Sequence, residues 1–133
     1  MKIILLGAEG FVGGALSKLL VGSYELIRTS RKFLDVCDTR KLQNFLNEVK
    51  PKVVLNATGE VAGIQGNIDN PASLLSLNLN SSFSVMNACI NLEIRHLVQF
   101  SSAYIFSLAI RSLAKPEHLR NRSNQCEQST REK

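Results

Sequence analysis

Three glycines at fixed spacing, Gly7, Gly10 and Gly13, stand directly after a short apolar run, Lys2–Leu6, and open a stretch of helical periodicity. A strand that turns through glycines into a helix can bring backbone N–H groups against a pyrophosphate. The missing side chains let the chain turn tightly, approach the anion and pack the helix close to the sheet. The segment carrying Gly7, Gly10, Phe11, Val12 and Gly13 is therefore a candidate dinucleotide-binding loop. The competing reading is a tight turn with no ligand. A second group lies at Arg28-Thr29-Ser30-Arg31, where the next apolar run ends. A fold that prefers NAD holds an Asp or Glu near this point for the ribose 2′-hydroxyl. Arg28, Ser30 and Arg31 instead suit a 2′-phosphate. They favour NADP, with NAD as the alternative, unless the segment is only a solvated turn with incidental charge.

The elements that must position these residues alternate between apolar runs and helix-period stretches, the pattern of βαβ units on a parallel sheet. Lys2–Leu6 reads as a buried strand. Val12, Leu16, Leu19 and Leu20 then mark a helix, Tyr24–Arg28 a second strand, and Lys41, Leu42, Phe45, Leu46 and Val49 a second helix stopped by Pro51. Lys52–Asn56 is a third strand. A glycine-rich loop from Gly59 to Asn70 should lead to Pro71 as first helical residue, with Asn70 as its cap. That helix carries Leu74, Leu75, Leu77, Leu79, Val85, Met86, Ala88 and Ile90 to about Leu92, and His96–Phe100 is a fourth strand. The expectation is an α/β fold: a Rossmann-like parallel sheet flanked by helices, and an incomplete one.

The 133 residues allow one domain, with 44% hydrophobic and 20% charged residues, ordinary for a soluble globular chain. No apolar run reaches the roughly 20 residues of a membrane span, and the apolar start is too short for the core of a signal peptide. Cys37, Cys89 and Cys126 are odd in number and without metal-like spacing, so a reduced cytoplasmic protein with no metal is expected. Residues 107–133 carry six Lys/Arg against three Glu, +3 of the net +5. Arg120–Lys133 has no large hydrophobic residue, so 107–133 reads as a divergent basic tail, disordered, after a nucleotide-binding domain of residues 1–106. Without aromatic interleaving, nucleic acid is not the expected partner.

Together these features resemble the extended short-chain dehydrogenase/reductase family, the NAD-dependent epimerases and dehydratases. Leu34-Asp35-Val36-Cys37-Asp38 is similar to the family segment in which an acid and its neighbour border the adenine, which gives that role to Asp35 and Val36. Asp38 reads equally well as a helix cap. Asn56-Ala57-Thr58-Gly59 resembles the family turn beside the cofactor ribose, implicating Asn56, Ala57 and Thr58. Val61-Ala62-Gly63-Ile64 with Asn67, Pro71 and Ala72 looks most like the GDP-L-fucose synthase branch, and Ser101–Phe106 resembles the dTDP-4-dehydrorhamnose reductase branch. The resemblance places Ser102 at the position whose hydroxyl polarises the sugar's carbonyl for hydride transfer.

It also implies a Tyr with a Lys four residues later as proton donor. Tyr24 and Tyr104, the only tyrosines, are followed at that distance by Arg28 and Leu108. The expectation is the cofactor-binding front of a nucleotide-sugar epimerase/reductase, truncated and inactive alone, whose full-length parent binds a nucleotide sugar. A frameshift near Leu119 would account for such a tail. A homodimer through the helix after Asn70 is a further expectation. The alternative is a non-catalytic cofactor-binding or regulatory module.

Overall fold

The computed structural model describes residues 1–101. Four strands, β1 (Lys2–Leu6), β2 (Glu25–Arg28), β3 (Val53–Asn56) and β4 (His96–Gln99), alternate with helices α1 (Phe11–Leu20), α2 (Thr39–Val49), α3 (Gly63–Asp69) and α4 (Pro71–Asn91). The sheet is wholly parallel, in the order β2-β1-β3-β4. Register runs from Lys2↔Glu25 to Leu5↔Arg28 on one side of β1 and from Ile3↔Val53 to Leu6↔Asn56 on the other. Right-handed crossovers in opposite directions from β1 put α1 on one face and α2 with α4 on the other. They also leave a crevice at the carboxyl ends of β1 and β3, where the chain order reverses.

The main core lies under α2 and α4. Ile4, Leu6 and Val54 pack against Leu42 and Leu46 of α2 and Val85, Ala88 and Cys89 of α4. Leu34 and Val36 close it from the segment between β2 and α2. Period-two alternation turns Ile3 and Leu5 to the opposite face, where α1 packs on β1 and β2. That side leaves Val98 of β4 45% exposed.

Several sequence expectations change in detail. The buried line of α1 is Gly13 and Ser17, while Leu19 is exposed, because a helix opening from a tight glycine turn sits too near the sheet for large side chains. The stretch Gly59–Asn70 is not all loop. Gly63–Asp69 is helical despite two glycines, packed on α4 and carrying a Gln65–Asp69 side-chain hydrogen bond of 2.8 Å. Tertiary contact outweighs a propensity penalty of about 1 kcal/mol per glycine. Pro71 opens α4 as expected, but Asn70 makes no side-chain cap. It also ends α3, donating its backbone N–H to the Gly66 carbonyl at 3.0 Å. Asp38 does cap α2, accepting from the Lys41 amide at 3.1 Å.

Candidate functional site: a cleft at the carboxyl ends of the strands

β1 ends in Gly7 at φ +77°, a left-handed conformation that L side chains rarely adopt. A Cβ there would stand 2.8 Å from the Ala57 carbonyl oxygen, so the first glycine of the loop lies hard against the turn after β3. At Gly13 a Cβ would overlap the Gly7 carbonyl, which is why α1 can begin so close to the loop. The loop is tied down by Ala8 N–H to the Thr29 carbonyl at 2.9 Å and Gly10 N–H to the Gly7 carbonyl at 3.1 Å. Gly10 caps α1, so the amides of Phe11, Val12 and Gly13 have no carbonyl a turn earlier to bond within the helix. They are oriented, available donors at the positive end of the helix.

A cleft of about 190 Å³ opens beside this loop. The loop contributes Gly7, Glu9 and Gly10. From the end of β2 come Ser30 and Arg31, then Leu34, Asp35, Val36 and Cys37. The Asp35 carboxylate accepts from the Cys37 amide at 3.0 Å, a local turn that presents Val36 inward. Partial desolvation, with the Asp35 carboxylate, pushes the Cys37 thiol up, and Arg31 pulls it back. The far wall is Ala57, Thr58, Gly59 and Glu60 after β3, with Leu77, Asn78 and Ser81 of α4.

That far wall rests on a buried network. Asn56 is fully buried, and its carboxamide oxygen accepts from the Thr58 amide at 3.1 Å and the Thr58 hydroxyl at 2.6 Å. Its amide nitrogen donates to Gln99 Oε1 at 2.7 Å. The Thr58 hydroxyl proton is spent on Asn56, so in the 2.7 Å contact between Thr58 and Ser81 the serine donates. Asn78 then grips the loop one residue beyond Gly59. The Glu60 amide donates to Asn78 Oδ1 at 2.7 Å, and Asn78 Nδ2 donates to the Glu60 carbonyl at 3.0 Å. Opposite, Arg31 Nη1 donates to Glu60 Oε2 at 3.0 Å.

Of the residues singled out from sequence, Gly7, Gly10, Ser30, Arg31, Asp35, Val36, Ala57 and Thr58 line this one cleft. Asn56 supports it from beneath. Phe11, Val12, Gly13 and Arg28 do not line it: Gly13 is a packing residue, Phe11 points to solvent, and Arg28 ends β2 in register with Leu5. Ser102, Tyr104 and the stretch 107–133 lie outside the described residues. Tyr24 is at the amino end of β2, at the other end of the sheet from the cleft. Sequence reasoning missed Glu60, Asn78, Ser81 and Gln99. Asn78 and Ser81, poor helix formers in mid-helix, were the available signal.

A glycine turn, a helix amino end and a switch-point crevice on a parallel sheet define a Rossmann-like nucleotide-binding protein. A family model described as the NAD dependent epimerase/dehydratase family matches residues 3–127, and the chain belongs to that family. It is 34% identical over 107 residues to the GDP-L-colitose synthase of Yersinia pseudotuberculosis, covering 80% of this chain and 35% of the relative. It is 26% identical over 121 residues to the GDP-L-fucose synthase of Escherichia coli, 89% of this chain and 38% of that protein. Among solved structures it resembles a GDP-mannoheptose C4 reductase of Campylobacter jejuni with NADP bound. The TM-score there is 0.70 at 27% identity, over 77% of this chain and 31% of that one. The chain thus spans about a third of the length of these relatives.

Proposed function

We propose that this chain is the NADP-binding front portion of a nucleotide-sugar reductase or epimerase. The observation that carries the reading is convergence: glycine turn, Arg31 and the Asn56–Thr58 turn come from three strand ends to one cleft. The cradle fits the cofactor: Gly7 and Gly10 line the cleft without side chains, and Gly13 lets α1 start close behind the loop with its first amides free. In this reading the amides opening α1 hold the pyrophosphate, Arg31 and Ser30 take the 2′-phosphate, Val36 and Asp35 border the adenine, and Ala57 and Thr58 face the ribose. NADP supplies the hydride chemistry when bound. The substrate class, a GDP- or related nucleotide sugar, is inferred from what the relatives are named for.

Turnover by this chain alone is not expected. None of its tyrosines has a lysine four residues on, so the acid that would protonate a sugar oxygen has no source in the Tyr-Lys arrangement that the family uses. Ser102 is proposed as the carbonyl-polarising hydroxyl. A basic tail at 107–133 remains part of the proposal.

Among the described residues no helix is long and apolar enough to cross a membrane. Among the described residues Cys37 and Cys89 are not paired with each other, and a reducing cytoplasm is the proposed location. Leu75, Leu79, Phe83 and Ile90 form an exposed stripe along α4 at helical spacing, which supports association with a second copy.

Calorimetry with NADPH and NADH on the purified chain tests the cofactor reading. Arg31→Ala should weaken NADPH binding at least tenfold, and Arg28→Ala much less. Absence of binding by either nucleotide would overturn it.

A further inference from the structure

The ionic content of the cleft is unusual for a site that takes a polyanion. Among the described residues its lining holds three carboxylates, Glu9, Asp35 and Glu60, and one guanidinium, Arg31. Arg31 is engaged: its Nη1 reaches Glu60 Oε2 at 3.0 Å, joining the segment after β2 to the loop after β3. The backbone of Glu60 is held by Asn78 of α4 through both its amide and its carbonyl, so its carboxylate stays within side-chain reach of Arg31. The side chains are 70% and 46% exposed, so the pair is screened by solvent and readily exchanged. A 2′-phosphate brings a near-dianionic charge and three acceptor oxygens to a planar guanidinium, a stronger partner than one exposed carboxylate.

We propose that Glu60 sets the cofactor selectivity of this cleft by competing with the 2′-phosphate for Arg31; the inference rests on the NADP reading above. Binding the phosphorylated cofactor separates Arg31 from Glu60 and leaves that carboxylate, on a backbone anchored by Asn78, near the incoming negative charge. NADH carries a hydroxyl at the same ribose position and meets neither cost. Glu60 therefore lowers NADPH affinity without lowering NADH affinity, and the chain discriminates less than Arg31 alone would allow.

The experiment is a calorimetric titration of the full 133-residue chain with NADPH and with NADH, in wild type, Glu60→Gln, Arg31→Ala and the double variant. Glu60→Gln removes the charge and keeps the shape and the backbone clamp. NADPH affinity should rise about five- to tenfold in Glu60→Gln, while NADH affinity changes less than about twofold. In the Arg31→Ala background the gain should fall below about threefold, because the competition no longer exists. The gap between wild type and Glu60→Gln should also narrow as ionic strength rises from about 0.05 M to about 0.5 M. If NADPH binds more tightly than NADH but Glu60→Gln leaves their ratio unmoved, the competition is overturned and the cofactor reading stands. If neither nucleotide binds any of the four proteins, both fall together.

Discussion

On its β3 side the cleft is walled by neutral, part-buried hydrogen bonds centred on fully buried Asn56, Gln99 to Asn56 to Thr58 to Ser81, tying two strands, a turn and a helix together. On its β2 side the wall is a surface turn whose defining polar contacts, Arg31 to Glu60 and Asp35 to the Cys37 amide, are exposed. The two walls hold their positions by different physics. At the buried Asn56 amide no water can replace a lost partner, so the network that it anchors is costly to break. An exposed ion pair contributes little to stability, and for that reason can change partners when a ligand arrives. A site that must keep its shape and still exchange one ionic contact needs one wall of each kind.

The sharpest way to break this contrast is Asn56→Ala. It removes, at a fully buried position, the partner of the Thr58 amide and hydroxyl and of the Gln99 side-chain oxygen, and should cost about 2–4 kcal/mol in urea unfolding. A loss under about 1 kcal/mol would mean the wall is not built as described. Thr58→Val keeps the shape but leaves the buried Ser81 hydroxyl without its acceptor, so about 1–2 kcal/mol is expected from the same measurement. On the other wall Arg31→Ala should shift unfolding by less than about 1 kcal/mol, while cofactor affinity drops. A comparable destabilisation there would erase the distinction.

The smallest effect concerns the capping carboxylate behind the β2 wall. The backbone hydrogen bond from the Lys41 amide, aided by its ammonium, holds Asp38 below the ordinary carboxylate value of 3.8. A lowered pKa in the folded state contributes stability that is present above the unfolded value and is lost as pH falls through the folded one. Thermal melts of wild type and Asp38→Ala should therefore differ near neutral pH, and the gap should close on acidification below about pH 4. A gap that persisted at low pH would remove the cap from the account.

Much of the fold was legible because its signals are local. Strands β1 to β4 are short apolar runs, and the glycine spacing needs only a strand before it and a helix after it. The turn Asn56–Thr58 was legible through resemblance alone. What sequence did not disclose depends on distance along the chain. Glu60 meets Asn78 from 18 residues away and Arg31 from 29, and Asn56 meets Gln99 from 43. Nor could the text separate Arg28 from Arg31. The two differ in placement: Arg28 is still paired beside Leu5 in the sheet, whereas Arg31 lies past the end of β2 and lines the cleft. Helix α3 was hidden by its two glycines, whose propensity cost is outweighed by packing on α4.

The two-point grip of Asn78 on Glu60 has a mechanical meaning. One side chain on a 21-residue helix engages both the amide and the carbonyl of a single loop residue, in the manner of a key in a two-pin lock. A slip of α4 by one residue would turn Asn78 by about 100° and break both bonds at once. The loop therefore keeps the angular setting of α4, and a torque applied to the helix along its exposed stripe would be read out at the mouth of the cleft.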